Sequence, residues 1–243
     1  MSVPRILRNR MNETTLRECR FVNQTPGYRR QPAYLRFDYS KRNESASLVL
    51  LEAALSFTLC RQFLETPYFF IKYGRGLEEV EGTLAKTSME TSVDWRVNTL
   101  KSLGKNASLD PKVATEMAHR FVEDFGFLLI EMDKTAFTDL VELFIQFAEI
   151  ALKLWSTKTH IVVSYPTEIW ERGFPVGNPY VECEPGLVTT LGEQLNGRPV
   201  GVVLRPCIVS QPIQTAGHEP SQVVWSKAMV WLSSATRKKK SKH

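Results

Sequence analysis

Residues Lys134 to Ser156 read KTAFTDLVELFIQFAEIALKLWS. The polar side chains Asp139, Glu142, Gln146, Glu149 and Lys153 recur through it at intervals of three and four. Such intervals return to one side of a helix, so the polar groups form a narrow stripe and nearly everything else is apolar. A helix of this kind is covered on most of its sides. It is expected at the centre of the core, and the same pattern suits a helix that lends one face to a partner protein.

The sequence on either side extends the pattern. Asp110-Pro111 is a helix start, because an aspartate accepts from a free backbone amide at the N-cap and proline fits the first helical position. The helix it opens is expected to run to about Phe125, with Val113, Met117, Phe121 and Val122 inward. Upstream, Asn43 to Glu65 carries an apolar stripe through Leu48, Leu51, Leu55, Leu59 and Phe63. Thr66-Pro67 should end that helix, since a residue before proline avoids helical geometry. Tyr68 to Tyr73 and Ala33 to Tyr39 read as strands, the latter from strict alternation. Residues 77–104 fit neither period cleanly.

Beyond Ser156 the character changes. His160 to Tyr165 is a strand pattern, residues 166–199 are rich in proline and glycine, and Pro199 to Val209 and Gln222 to Leu232 are β-rich. In the last run Trp225, Lys227, Met229 and Trp231 alternate with Val224, Ser226, Ala228 and Val230. The expected class is α+β, with a helix-rich N-terminal two-thirds packed on a mainly antiparallel sheet completed by a strand-rich C-terminal third. The expected organisation is a basic N-terminal arm and first strand over 1–42, one globular domain over 43–236 and a basic tail over 237–243.

Several function classes lose ground on composition and motifs. With 43% hydrophobic and 23% charged residues, the chain is neither disordered throughout nor low in complexity. At 243 residues it buries roughly 70% of its unfolded surface, enough to fold without a disulfide or metal staple. Cys19, Cys60, Cys183 and Cys207 form no CxxC half-site, which argues against zinc ribbons and thiol redox motifs. The first 20 residues lack the apolar core of a secretory signal, and no run of about 18 apolar residues stands out, so no membrane span is expected. A reduced, intracellular setting follows. Nucleophile-elbow, zinc-protease and phosphate-loop motifs are lacking.

Two acidic groupings are candidate metal sites. Glu116, His119 and Glu123 share a helix face, and a solvated surface is the favoured account of them. Glu79 and Glu81, with Glu182 and Glu184, alternate as on strands. Two such pairs facing one cavity would give a divalent cation oxygen ligands, and this is the enzymatic possibility, a metal-dependent phosphohydrolase. Neither grouping is strong enough for a metal, a cofactor or a catalytic residue to be assigned, and a non-enzymatic role is favoured.

Charge gives the leading functional reading. Residues 1–42 hold ten Lys/Arg against three acids, and Arg237 to His243 hold five Lys/Arg and no acid. The stretch between them carries 16 bases against 23 acids, or −7. Basic ends on an acidic body suit phosphate contact, which is sequence-independent and salt-sensitive. The expected nucleic-acid contacts are Arg5, Arg8, Arg10, Arg29, Arg30 and Arg36 at one end, and Arg237, Lys238, Lys239, Lys240 and Lys242 at the other. Aromatic residues among the N-terminal arginines favour RNA over DNA. Trp225 and Trp231 are the expected partner-binding residues.

The function expected is therefore a non-catalytic structural or interaction subunit of an oligomeric nucleoprotein assembly. A viral coat, nucleocapsid or matrix-type protein would fit the same pattern, and so would a protein-only adaptor. The lysine-rich tail suits a nuclear address ahead of a cytoplasmic one. Val3, Ile6, Leu7 and Met11, interleaved with arginines, also leave room for a mitochondrial presequence.

Overall fold

A computed structural model describes residues 44–71, 74–103, 108–129, 132–166, 168–183, 191–212 and 222–232. The expected strand at Ala33 to Tyr39, the basic arm and the basic tail lie outside these residues. The chain is α+β. Among the described residues five long helices come first: α1 (Glu44–Leu64), α2 (Arg75–Thr87), α3 (Met89–Leu103), α4 (Pro111–Phe125) and α5 (Lys134–Trp155). Then come β1 (Thr159–Ser164), a short α6 (Glu168–Arg172), β2 (Val181–Cys183), β3 (Val200–Arg205), β4 (Cys207–Pro212), β5 (Val223–Ser226) and β6 (Ala228–Leu232).

The central helix forms where its sequence demands. Asp133 caps α5 by accepting from the Ala136 amide at 2.7 Å, and Leu140, Phe144, Ala148, Ala151 and Trp155 are buried along its inner side. The Trp155 indole N–H donates to the Phe63 carbonyl of α1 at 2.9 Å. This bond satisfies a polar group that would be costly to bury alone. Leu143 and Ile150 stay exposed beside the polar stripe. Asp110 caps α4 through the Lys112 amide at 2.8 Å. There the expected inward face holds at Phe121, with Met117 and Val122 partly buried against the core, and fails at Val113. Ala114, Ala118 and Phe121 are buried, whereas Val113 is exposed. The small alanines let α4 lie close to α5, and a valine there would hold the helices apart.

Two expectations are corrected. The expected strand Tyr68 to Tyr73 is not formed in its described part. That part, through Ile71, is a turn in which the Ile71 amide donates to the Tyr68 carbonyl. Glu78, Glu79 and Glu81 lie on helix α2 rather than on a strand, which removes the strand-borne carboxylate pair from the metal argument. Ser88 separates α2 from α3. Its amide donates to the Leu84 carbonyl, and its hydroxyl accepts from the Thr91 amide. One residue thus closes one helix and caps the next, which explains the mixed periodicity of 77–104.

Helix α1 joins the two layers. Its C-terminal half gives Leu59, Cys60, Phe63 and Leu64 to the helical core. Val49 and Leu50, one turn from its start, pack with Val202 and Leu204 of β3 and with Leu128. Among the described residues, Ser47–Leu64 is long and apolar enough to cross a membrane by length and composition, with a mean hydropathy of 1.4. A third of that window is buried inside this protein.

The described strands build two three-stranded sheets, β1-β4-β5 and β2-β6-β3. All pairings are antiparallel except β2 with β6. β3 and β4 are separated only by Pro206, and β5 and β6 only by Lys227. The two halves form one long ribbon, with β3 on β6 and β4 on β5. The ribbon changes sheets where Pro206, lacking an N–H, cannot continue the ladder. The β2-β6-β3 core buries Val181, Cys183, Val200, Ala228, Val230 and Leu232, with Ile169 and Phe174 laid against them.

Candidate functional site

The β5 side of the β1-β4-β5 sheet exposes large apolar side chains. Among the described residues β5 lies at the end of that sheet. Ile208 pairs with Ser226 while Val209 pairs with Val224, so Trp225 is the extra residue of a β-bulge. A bulged residue leaves the ladder, and its side chain is re-aimed. Trp225 is 52% exposed and Val223 is 51% exposed. Lys227, also exposed, follows at the sheet change.

Tyr180 lies alongside the same edge. Its amide donates to Asn178 Oδ1 at 2.8 Å, its carbonyl accepts from the Ala228 amide at 2.8 Å, and its hydroxyl donates to Gln222 Oε1 at 3.2 Å. The residue is thus tied to both ends of β5, yet it remains 40% exposed. Neither Tyr180 nor Trp225 stacks on another described aromatic ring. Sequence reasoning missed Tyr180. The signal available was the alternation Tyr180-Val181-Glu182-Cys183, which places Tyr180 and Glu182 on the side away from the core.

The expected partner-binding pair divides. Trp225 and Trp231 belong to different sheets, because the run Gln222 to Leu232 breaks at Lys227. Trp231 is half-buried and packs with Met229 against the α1–β3 cluster of Val49, Leu50 and Val202. It therefore covers a helix, and Trp225 alone is presented outward. The expected nucleic-acid contacts Arg5, Arg8, Arg10, Arg29, Arg30, Arg36, Arg237, Lys238, Lys239, Lys240 and Lys242 all lie outside the described residues.

A second constellation is internal. Arg96 of α3 is 1% exposed. Its guanidinium donates to Glu81 Oε1 at 3.1 Å, to the Trp155 carbonyl at 3.0 Å, to the Thr159 carbonyl at 2.7 Å and, more weakly, to the Thr157 carbonyl at 3.4 Å. It also lies 5.1 Å from the centroid of the Trp155 ring. The other Glu81 oxygen accepts from the Tyr68 hydroxyl at 2.9 Å. Burial, reinforced by the Glu81 carboxylate, pushes the Tyr68 phenol above its ordinary range. Burial also holds the His160 imidazole below its usual value, with the Arg96 charge adding to the effect and Glu81 opposing it.

Perturbed titrations often mark active sites, but structural ion-pair networks produce them too. Here the guanidinium is directed at Glu81, at the carbonyls that end α5 and at the first residue of β1. The arrangement fixes how helices α2, α3 and α5 meet the first strand. Sequence reasoning missed Arg96 as well. Its signal was a cation set among Val93, Val97 and Leu100 on one helical stripe.

Comparison with protein-family models, with curated proteins and with solved structures finds no match. Function therefore rests on the residues themselves. Among the described residues no group of three or more His, Cys, Asp or Glu side chains is placed to hold a metal ion. Glu79 is exposed and pairs with Arg75 at 3.4 Å. Glu116 faces Arg120 at 4.0 Å, and His119 stacks on Phe137 with ring centroids 4.5 Å apart. Glu182 is exposed on β2, and Glu184 lies outside the described residues.

Proposed function

We propose that this chain is a non-catalytic structural or interaction subunit of a nucleoprotein assembly, and that it contacts nucleic acid, RNA in preference to DNA, through its basic ends. The observation that carries the reading is the division of charge. Fifteen of the 31 Lys/Arg residues fall within 1–42 and 237–243, while the stretch between is −7. Clustered cations outside an acidic body release counterions from a phosphate backbone at little cost to the fold.

The test is salt-titrated binding of fluorescent single-stranded RNA and duplex DNA by the full chain. Three variants accompany it, with glutamine replacing Arg5, Arg8, Arg10, Arg29, Arg30 and Arg36, or replacing Arg237, Lys238, Lys239, Lys240 and Lys242, or both sets. The expected result is a steep fall of log affinity with log salt that flattens by about 0.7 per lost phosphate contact on single strands. Binding that is absent, or whose slope ignores both sets, would overturn the reading.

A further inference from the structure

We infer that the β5 edge is a base-stacking site for single-stranded nucleic acid, with Trp225 as the platform, Tyr180 as a second ring and Lys227 as the adjoining phosphate contact. The inference rests on the proposed nucleic-acid function and adds a site on the folded body to the basic ends.

Three observations carry it. The first is the bulge. An unprotected edge strand invites pairing with another strand, and short, bulged edges suppress it. β5 is four residues long and its ladder is broken at Trp225. This edge is therefore poorly made for strand addition and well made for presenting a side chain. The second is preorganisation. Tyr180 is held by its amide, its carbonyl and its hydroxyl at once, so its ring is ordered before any ligand arrives and little entropy is lost on stacking.

The third is charge. The stretch 43–236 is net acidic, yet β1 (THIVVS), β4 (CIVSQP) and β5 (VVWS) contain no Asp or Glu. From Gln222 to Met229 the only charged residue is Lys227. Among the described residues Lys227 has no ion-pair partner, unlike Lys158, which binds Asp94 at 2.7 Å. The β1-β4-β5 strands carry no acid, although exposed Glu182 of β2 lies on the Tyr180 side; an exposed indole, an exposed phenol and an ammonium with no ion-pair partner among the described residues complement a polyanion that has π-faces. Every base has such a face, so the site would tolerate sequence variation.

The stacking contribution and the phosphate contribution separate by their salt dependence. The experiment measures affinity of the full chain for a short fluorescent single-stranded RNA across a salt series, with Trp225→Ala, Trp225→Phe and Lys227→Gln compared with the parent. Trp225→Ala should weaken binding by roughly 5- to 150-fold, the range of one lost base–aromatic stack. The loss should be equal at every salt, leaving the slope unchanged. Trp225→Phe should keep most of the affinity. Lys227→Gln should lower the slope by about 0.7, one phosphate's share on a single strand.

If the parent binds with a slope set by the basic ends and Trp225→Ala binds identically, the inference fails and the basic-ends reading stands. If glutamine substitution of both ends leaves the slope unchanged while Trp225→Ala still loses affinity, the basic-ends reading fails and the stacking site stands. If Trp225→Ala alters sedimentation of the chain but not its RNA affinity, the surface belongs to a second copy of the protein and the inference is overturned.

Discussion

Replacing Arg96 by methionine should be among the most damaging single substitutions in the helical layer. Methionine keeps much of the volume and removes every donor. Glu81 then keeps only the Tyr68 hydroxyl among its described partners, and the Trp155 and Thr159 carbonyls each lose a close donor. Removing one partner of a buried ion pair costs about 3–5 kcal/mol, mostly because the other charge is left without compensation. The Glu81 side chain is 15% exposed, so water can reach it and the lower end, ~3 kcal/mol, applies. Urea unfolding followed by circular dichroism at neutral pH would read this as a lower midpoint at unchanged slope. Arg96→Lys should recover only part of the loss, because an ammonium lacks the planar fork that serves Glu81 and two carbonyls together. Adding Glu81→Met to Arg96→Met should restore some stability, since an apolar pair tolerates burial better than a lone charge. A loss below about 1 kcal/mol for Arg96→Met, in the range of an exposed pair, or strict additivity in the double variant, would refute the account of Arg96 as a coupled buried hub.

Three further outcomes are expected. His160 titrates below its ordinary value in the folded chain, so on acidification the unfolded state takes up the proton first. Its contribution is intact above about pH 6.5, the unfolded value, and is lost as pH falls below that. His160→Gln should flatten this part of a stability–pH profile. Gly173 has φ +84°, and a Cβ there would collide with the Gly197 carbonyl. Gly173→Ala should therefore lower the thermal midpoint by several degrees, since backbone cannot move aside as a side chain can. The Cys60 thiol is buried and pushed up to about 12. It should resist alkylation at pH 8 in the folded protein and react once guanidinium unfolds it, as thiol mass labelling would show.

The legible parts of the fold were those in which local chemistry and burial point the same way. The bounds of α1, α4 and α5 are legible to within a residue or so because each has a start or stop signal, an Asp cap or a Thr-Pro break, bounding a 3.6-residue period. The failures have specific causes. Tyr68 to Ile71 is aromatic and apolar, which favours a strand, but the segment turns because the Tyr68 hydroxyl must reach Glu81 and its carbonyl must accept from Ile71. The pair Glu79 and Glu81 alternates on paper, yet a spacing of two is equally available on a helix, and α2 buries none of its residues to enforce a visible stripe. On α4 the expected inward face fails only at Val113 and lacks Ala114 and Ala118, because alanine is a weak hydrophobic signal although it is what close helix packing selects.

The β5 edge shows a different limit. Alternation along Gln222 to Leu232 sets Trp225, Lys227, Met229 and Trp231 against Val224, Ser226, Ala228 and Val230; Trp225 and Lys227 are exposed and Ala228 and Val230 buried, but Met229 and Trp231 pack against α1. It cannot show that the run belongs to two sheets, because the break depends on the other strand of the ribbon. Pro206, about 20 positions earlier in the chain, denies the ladder a donor, and opposite it the Ala228 amide turns to the Tyr180 carbonyl. That exchange moves Trp231 onto α1 and leaves Trp225 outward. The two tryptophans look equivalent in sequence, but Trp225 is exposed whereas Trp231 is half-buried against α1. For this reason Trp231→Ala should act on stability and Trp225→Ala on binding. Equal effects of both substitutions on binding, with stability unchanged, would mean that the sheet boundary at Lys227 does not divide the surface.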